Sequence, residues 1–258
     1  MYKAISSIIF LIVTLFSSQQ AVSQEERFTY YENDGIFIYY ETDEIDSYRE
    51  LLPDSFTMPE TPMVFAFISD FYKMDANTKP YKEASIFILG KYEGNEFWHC
   101  IFMPVTSQES RIAGIRRLGL PKTMGDIDFN RSETAYSAHV KTENGHEMSL
   151  ELSAVGQEVS ASEEDTIRNF STLPKLNLLN GEVVQMGRSS KRNILDLSRI
   201  FSKRLTLKMG NGDIELNRSN NSSSDEAHPL DLKPSNILAA YYLRNTIPYR
   251  LNGRPFKK

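Results

Sequence analysis

The chain has 258 residues, of which 40% are hydrophobic and 24% are charged, a composition typical of a globular protein with a sizeable core. Its formal net charge is -5, whereas neutralising nucleic-acid phosphates needs a concentrated basic surface. A dedicated nucleic-acid binder is therefore excluded. The basic cluster of the sequence is a short C-terminal tail, made of Arg250, Arg254, Lys257 and Lys258.

Residues 1–23 have the pattern of a secretory signal peptide. A lysine near the start precedes an apolar run over residues 4–16, and the small-x-small pattern A-V-S follows at residues 21–23. The apolar run is shorter than the roughly 20 residues that a membrane-spanning helix needs. We therefore expect cleavage before Gln24, a secreted or periplasmic single domain over residues 24–258, and no stable membrane anchor.

Cysteine and histidine usage argues against disulfides and metal. Cys100 is the sole cysteine of the sequence, so the chain must be held together by its core. It lies in the apolar strand pattern F-W-H-C-I-F-M, which is typical of a buried structural thiol. The four histidines lack the close pairing that zinc sites use, so we expect no metal site.

The first half of the chain predicts strands and two helices. Strands are expected at 35–40, 62–68, 84–89 and 97–103, the last two forming a hairpin around K-Y-E-G-N. A short helix places Ile45, Tyr48 and Leu52 on one face. A second helix, capped by Ser107 and ended by Gly119, repeats apolar residues at three-residue spacing, namely Ile112, Ile115 and Leu118.

The strands of the second half are predicted mainly from Asn-Gly turns. Asn144-Gly145 predicts a type I′ hairpin between strands 135–140 and 148–152, and Asn180-Gly181 joins strands 173–179 and 183–186. Asn211-Gly212 is expected to close a further hairpin into strand 213–216. Three more stretches complete the chain: an exposed acidic segment at 155–167, a segment at 195–209 that fits either a strand or a helix, and a final helix at 235–244.

The segment G-L-P-K-T-M-G-D-I-D-F, residues 119–129, has the features of a nucleophile site centred on Lys122. Pro121 and the glycines on either side predict a shaped bend from which the lysine projects. A lysine amine with the ordinary pKa of roughly 10.4 is neutral in about one molecule in a few thousand at pH 7. A nucleophilic lysine must therefore be desolvated or crowded by other cations. The alternative is an ordinary solvated lysine.

The neighbours of this lysine suggest how it is activated and what binds beside it. Leu120 and Met124 provide an apolar wall, and Arg116 and Arg117 provide positive charge. The lysine follows a helix C-terminus, which stabilises positive charge and opposes formation of the free amine. For Lys122 to act as a free amine, burial must outweigh the effect of the helix C-terminus.

G-L-P-K-T-M-G resembles the active-site segment of the acetoacetate decarboxylase family, in which a Pro-Lys pair near a glycine carries the Schiff-base lysine. Lys122 falls on that lysine. Upstream, P-Y-K-E-A is similar to the family's Tyr-x-Glu segment and places Glu83 on its active-site glutamate. H-P-L-D-L-K-P-S-N-I-L-A-A-Y-Y-L, residues 228–243, is similar to the C-terminal segment of the family and its following helix. The resemblance covers nearly the whole mature chain.

The resemblance implies both a fold and a reaction. The many strands indicate a β-rich α+β domain, which the family sharpens to a closed or cone-shaped antiparallel β-barrel with a few flanking helices. Lys122 would attack the keto carbon of a small β-keto acid, and the iminium would accept the electron pair released as carbon dioxide leaves. Glu83 would shuttle protons or position the substrate carboxylate. No cofactor is implied, and family members commonly form homo-oligomers.

Three departures from the family pattern keep other functions open. Thr123 stands where the decarboxylases have a second lysine, Asn33 aligns with an arginine, and Phe67 aligns with a pocket glutamate. We take Phe67 as a substrate-binding residue. The departures favour aldolase-dehydratase or cyclase chemistry on an α-keto acid as the second hypothesis. A non-catalytic secreted barrel that binds a small molecule is the third, with a lining of Tyr39, Phe67, Trp98 and Phe102.

Overall fold

The computed structural model describes residues 28–75, 78–157, 160–188, 204–219 and 226–256. The predicted signal peptide and its cleavage site lie outside these ranges. Within them the elements are, in chain order, β1 (Thr29–Glu41), α1 (Ile45–Leu51), β2 (Met63–Met74), β3 (Tyr81–Tyr92), β4 (Asn95–Val105), α2 (Gln108–Leu118), β5 (Lys122–Arg131), β6 (Tyr136–Thr142), β7 (Glu147–Gln157), α3 (Ala161–Ser171), β8 (Lys175–Leu179), β9 (Glu182–Arg188), β10 (Leu205–Asn217), a 3-10 turn (Pro229–Asp231), β11 (Asn236–Asn245) and β12 (Tyr249–Pro255).

The strands form one large twisted sheet in the order β11-β10-β7-β6-β5-β4-β3-β2-β1-β12-β9-β8, with additional pairings of β11 with β1 and of β4 with β8. Most neighbours are antiparallel, but β4 pairs with β5 and with β8 in parallel. A parallel connection needs a crossover, and α2 supplies it between β4 and β5. The predicted β-rich α+β class with a few helices is confirmed.

Both faces of the central strands are buried, in two separate hydrophobic clusters. Alternation along β1 sends Ile36 and Ile38 to the first cluster and Tyr39 to the second. On β4 the register with β3 shifts between Ile86 and Phe87, a bulge that resets this alternation. The first cluster contacts the region of α1, and the second is covered by α2 and α3 and surrounds a cavity.

The three hairpins β3–β4, β6–β7 and β8–β9 form as the sequence predicted. Asn180 and Gly181 have φ of 53° and 83°, as a type I′ turn requires. At the β6–β7 turn Gly145 has φ of 78° while Asn144 is not left-handed. The predicted type I′ turn there is wrong, because the loop is longer and closes through the backbone of Thr142 and His146.

Two element predictions are wrong in the C-terminal half. The predicted final helix is strand β11, which hydrogen-bonds β1 on one side and β10 on the other. An apolar run that is buried on both faces carries no period that separates strand from helix. The predicted turn at Asn211-Gly212 lies inside β10, where the register with β7 shifts after Met209. The glycine is needed there because a Cβ would stand 2.3 Å from the Cβ of Ala240.

Helix α2 begins and ends where the sequence predicted, but of its three periodic apolar residues only Leu118 is buried. The Ser107 side chain accepts from the Ser110 backbone, and Gly119 ends the helix with a left-handed φ of 62°. Ile112 and Ile115 are 38% and 40% exposed, whereas the small residues on the other side are buried. Among the described residues, no helix is long and apolar enough to span a membrane.

Candidate active site

Lys122 is the first residue of β5 and lies beside Met103 of β4. The predicted bend comes just before it, at Gly119, where a Cβ would stand 2.2 Å from the carbonyl oxygen of Leu178. The sharp turn directs the chain from α2 straight into the strand. Lys122 therefore projects from a hydrogen-bonded strand and not from a bend, and its backbone is fixed by the sheet.

The amine of Lys122 is held by two buried side chains. Its Nζ donates to Oε2 of Glu83 at 2.6 Å and to Oγ of Ser110 at 2.9 Å. The side chains of Lys122 and Glu83 are 5% and 9% exposed, so both charges are removed from water. The pair therefore holds the amine within hydrogen-bonding distance of a buried carboxylate.

Helix α2 packs directly on the stem of the lysine. A Cβ on Gly114 would stand 2.6 Å from Cδ and Cε of Lys122 and 3.3 Å from its Nζ. The side chain runs back along the helix, so its amine reaches Ser110 in the first turn. The predicted stabilisation by the helix C-terminus is therefore wrong for this amine, because the first turn carries the positive end of the helix dipole.

A buried tyrosine extends the polar group. The ring of Tyr81 has its centroid 5.6 Å from Nζ of Lys122, and its hydroxyl lies 3.1 Å from that of Tyr30. Burial, and then the charge of Glu83, raise the pKa of Tyr81 well above its usual value. The hydroxyl stays protonated at neutral pH. Tyr81 is thus a neutral hydrogen-bonding group beside the amine.

The pair opens into a cavity of about 510 Å³ on the second face of the sheet. Ser69, Asn33 and Asn245 contribute further polar groups to its lining, and Nδ2 of Asn245 donates to Oδ1 of Asn33 at 3.1 Å. The rest of the lining is dominated by aromatic and aliphatic side chains. An amine, its proton acceptor and a space for an organic ligand are therefore in one place, which is what Schiff-base chemistry requires.

The family model described as "Acetoacetate decarboxylase (ADC)" matches residues 16–252. The chain belongs to the acetoacetate decarboxylase family. A curated relative, "Decarboxylase DEC1" of Cochliobolus heterostrophus (strain C4 / ATCC 48331 / race T), is 31% identical over 94 residues. That match spans 36% of this chain and 36% of the relative.

Solved structures of the family share the fold. Acetoacetate decarboxylase from Legionella pneumophila aligns with a TM-score of 0.66 at 15% identity, over 90% of this chain and 87% of that one. The enduracididine biosynthesis enzyme MppR, complexed with pyruvate, aligns with a TM-score of 0.62 at 13% identity, over 93% of each chain. At these identities the likeness establishes the architecture of this family member.

The structure brings together most of the residues that the sequence assigned to the site. Lys122, Glu83, Phe67, Arg117 and Leu120 all line the cavity. Two other predicted substrate-binding residues, Arg116 and Met124, are not among its lining residues. Arg116 is exposed because it lies on the outer face of α2, and Met124 packs at the edge of the second cluster.

The aromatic lining proposed for a binding barrel is divided between cavity and core. Tyr39 and Phe67 line the cavity. Trp98 instead packs behind it and donates from Nε1 to the carbonyl of Phe170 at 2.8 Å, and Phe102 belongs to the first cluster. Cys100 is the buried thiol that its strand pattern indicated, and burial raises its pKa to about 12.

Four residues of the site were missed from the sequence: Ser110, Gly114, Tyr81 and Lys175. Ser110 and Gly114 are four residues apart and so share one helix face, a small-residue pattern that marks close packing. Tyr81 belongs to the quoted P-Y-K-E-A motif. Lys175 carries no recognisable motif. No group of three or more His, Cys, Asp or Glu side chains able to hold a metal occurs in the described ranges.

Proposed function

We propose that this protein is a Schiff-base-forming lyase that decarboxylates a small β-keto acid through Lys122. The observation that carries the proposal is the buried amine 2.6 Å from Glu83 at the edge of an organic-ligand cavity. In this proposal Glu83 takes the proton that the Lys122 ammonium gives up. Family membership supports the same class of chemistry.

The proposed reaction uses the side chains of the site in order. The free amine of Lys122 adds to the keto carbon, and loss of water gives an iminium. The bond to the carboxylate breaks, its electron pair moves toward the iminium nitrogen, and carbon dioxide leaves an enamine. Protonation of the enamine carbon and hydrolysis release the ketone and regenerate the amine. Glu83 accepts the ammonium proton first and returns a proton later.

The cavity also contains groups suited to hold the substrate carboxylate before it leaves. Arg117 lines the cavity from α2, and a guanidinium matches the geometry of a carboxylate. Asn33 and Ser69 add hydrogen-bonding capacity. We further propose that the sheet closes into a barrel, since β11 pairs with both β10 and β1.

Borohydride trapping tests the nucleophile. The protein is incubated with acetoacetate, and separately with pyruvate, then reduced and digested, and the modified peptide is mapped. We expect reductive labelling at Lys122 above every other lysine, and release of acetone from acetoacetate. Lys122→Met should abolish the labelling. Lys82→Met is the control, because its amine binds the carbonyl of Ile127 outside the cavity lining.

Labelling by acetoacetate with acetone release supports decarboxylation. Labelling by pyruvate alone, with a product that forms only when an aldehyde is added, supports the aldolase-dehydratase hypothesis. One observation favours that second function: a cavity of about 510 Å³ has room for two reactants. If no keto acid labels Lys122 above background, the enzyme proposal is wrong and the small-molecule-binding barrel replaces it.

A further inference from the structure

An aromatic wall continues from the Lys122–Glu83 pair along one side of the cavity. It is made of six side chains, Phe37, Tyr39, Phe65, Phe67, Phe87 and Tyr241, all of which line the cavity. They come from four neighbouring strands, β11, β1, β2 and β3. The wall is therefore a continuous surface and not a scatter of separate core residues.

Ring contacts confirm that this aromatic wall is continuous. Phe37 stacks on Tyr241 with centroids 5.2 Å apart, and Tyr39 stacks on Phe65 at 4.6 Å. Phe87 lies 5.9 Å from Phe65 and 6.1 Å from Phe67. Stacked rings present flat apolar surfaces to a ligand that lies against them.

The strand register gives the direction of the wall. Glu83 is opposite Ser69 on β2, the next inward pair is Ser85 with Phe67, and the pair after that is Phe87 with Phe65. At a rise of about 3.3 Å per residue, Glu83 and Phe87 are about 13 Å apart along β3. The polar end of the cavity and the inner end of the wall are thus separated by several carbon–carbon bonds.

Lys175 marks the inner end. Its Nζ is 5.8 Å from the centroid of Phe65 and 5.9 Å from that of Phe87, and it lines the same cavity. The backbone of Lys175 pairs with Trp98 of β4, whereas that of Lys122 pairs with Met103. The two lysines are therefore anchored five residues apart along β4.

From this arrangement we infer that the preferred substrate is an extended β-keto acid with an aryl or long apolar acyl group. Its keto carbon lies at Lys122, and its acyl group lies along the aromatic wall toward Lys175. The inference rests on the proposed Schiff-base function and names its substrate class. A four-carbon keto acid leaves most of the 510 Å³ cavity, and every ring beyond Phe67, without contact.

A substrate series tests the inference. Carbon dioxide release and borohydride-trapped Lys122 are measured with acetoacetate, 3-oxodecanoate and 3-oxo-3-phenylpropanoate at subsaturating concentrations. Burial of each methylene is expected to increase kcat/KM by about fourfold while contacts with the wall continue. We expect kcat/KM for both larger acids to exceed that for acetoacetate by at least about tenfold. This is far less than the sum over all methylenes, because ordering the ligand offsets most of the gain.

Matched variants test whether the aromatic wall causes the preference for the larger acids. Phe65→Leu removes a ring from the wall, and Phe102→Leu removes a ring of similar burial from the first cluster, outside the lining. We expect Phe65→Leu to lower the preference for 3-oxo-3-phenylpropanoate over acetoacetate, and Phe102→Leu to leave that ratio unchanged. If Phe65→Leu does not fold, Phe65→Trp serves as the test. It adds bulk toward the cavity and should lower the preference for 3-oxodecanoate over acetoacetate.

The outcomes separate this inference from the proposed function. If acetoacetate labels Lys122 and the larger acids react no better, the extended-substrate inference is wrong and the Schiff-base function stands. If no acid labels Lys122, the proposed function fails first. A preference for the larger acids that persists equally in Phe65→Leu and Phe65→Trp also overturns the inference, because the wall would not be its source.

Discussion

In the proposed reaction Glu83 has a structural and a catalytic role. Its carboxylate pairs with the buried amine of Lys122 at 2.6 Å, and it is the group that would take the proton of that amine. Removing one member of a buried ion pair costs about 3–5 kcal/mol, because the remaining charge is left without compensation. We therefore expect changes at Glu83 to affect stability and catalysis together.

Glu83→Gln tests this dual role. The amide oxygen still accepts a hydrogen bond from the amine, but it cannot take its proton. We expect kcat to fall by about 10²–10⁴-fold with the fold retained, measured by carbon dioxide release and by circular dichroism. Glu147→Gln is the control, since Glu147 pairs with Lys141 at 2.7 Å on the surface. A folded Glu83→Gln protein with near wild-type kcat would show that this carboxylate moves no essential proton.

The sequence identified some of these side chains and not others, for a physical reason. Lys122 and Glu83 lie within short local motifs that resemble a known family. Ser110 reaches the amine because of how α2 packs on the sheet, which depends on contacts between distant segments. Lys175 is brought into the cavity by the parallel pairing of β8 with β4, and no local pattern reports such a pairing.

Helix α2 can pack on the lysine because the part of its buried side that faces Lys122 carries almost no side-chain bulk. Gly114 allows the helix backbone to approach the Lys122 stem, and Ser110 contributes only a short hydroxyl. Two of the three residues that gave the helix its apolar period, Ile112 and Ile115, lie on the outer face and are exposed. Close packing on the lysine side chain has replaced the usual apolar contact in this part of the helix.

Gly114→Ala separates helix stability from lysine placement. Alanine in place of a mid-helix glycine is normally favourable by about 0.5–1 kcal/mol. Here the new Cβ would stand 2.6 Å from two carbons of Lys122, so the stem must move. We expect roughly tenfold or greater loss of imine formation, measured by borohydride trapping, with at most a small change in Tm.

Arg116→Ala on the outer face of the same helix is the matched control, and it should leave trapping unchanged, since Arg116 is exposed and outside the lining. Wild-type trapping in Gly114→Ala would mean that the contact with the stem does not position the amine. Loss of trapping in Arg116→Ala would restore the original prediction that this arginine binds substrate.

Two boundaries were predicted well because a glycine in a left-handed conformation determines them. Gly119 ends α2 and Asn180-Gly181 joins β8 to β9, both through left-handed backbone that glycine adopts readily. Helix α3 was read only as an exposed acidic segment, although Ser160 and Glu163 form a capping box at its start. Strand β11 was missed because its partners, β1 and β10, are distant in sequence.

At the scale of the whole molecule, burial on both faces of the sheet produces two cores with different uses. The first cluster is densely apolar, and the second surrounds the cavity and its polar pair. Composition predicted a globular chain and the strand patterns a β-rich one, but strand order depends on long-range pairings such as β11 with β1. Export and cleavage before Gln24 stay predictions that depend on residues 1–23 alone.

Stability of the whole molecule should depend on a histidine pair outside the cavity lining. His228 caps the 3-10 turn by accepting from the Leu230 backbone, and its ring lies 4.2 Å from that of His146. Burial, then the neighbouring His146 and Arg218, lower the pKa of His228 to about 4. Asp231 acts in the opposite direction.

Between pH 6.5 and 4 the unfolded chain protonates this histidine while the folded chain does not, so the free energy of unfolding falls as pH falls through that window. The expected loss is roughly 1–2 kcal/mol after screening of this half-buried group is allowed for.

His228→Asn keeps a capping oxygen and removes the titration. Thermal unfolding is measured at pH 7 and at pH 4. Between these two pH values, the Tm of His228→Asn should fall by about 3–6 °C less than the Tm of the wild type. His139→Gln, on the surface of β6, is the control and should follow the wild type. Equal losses of Tm in wild type and His228→Asn would show that the pair does not link folding to pH.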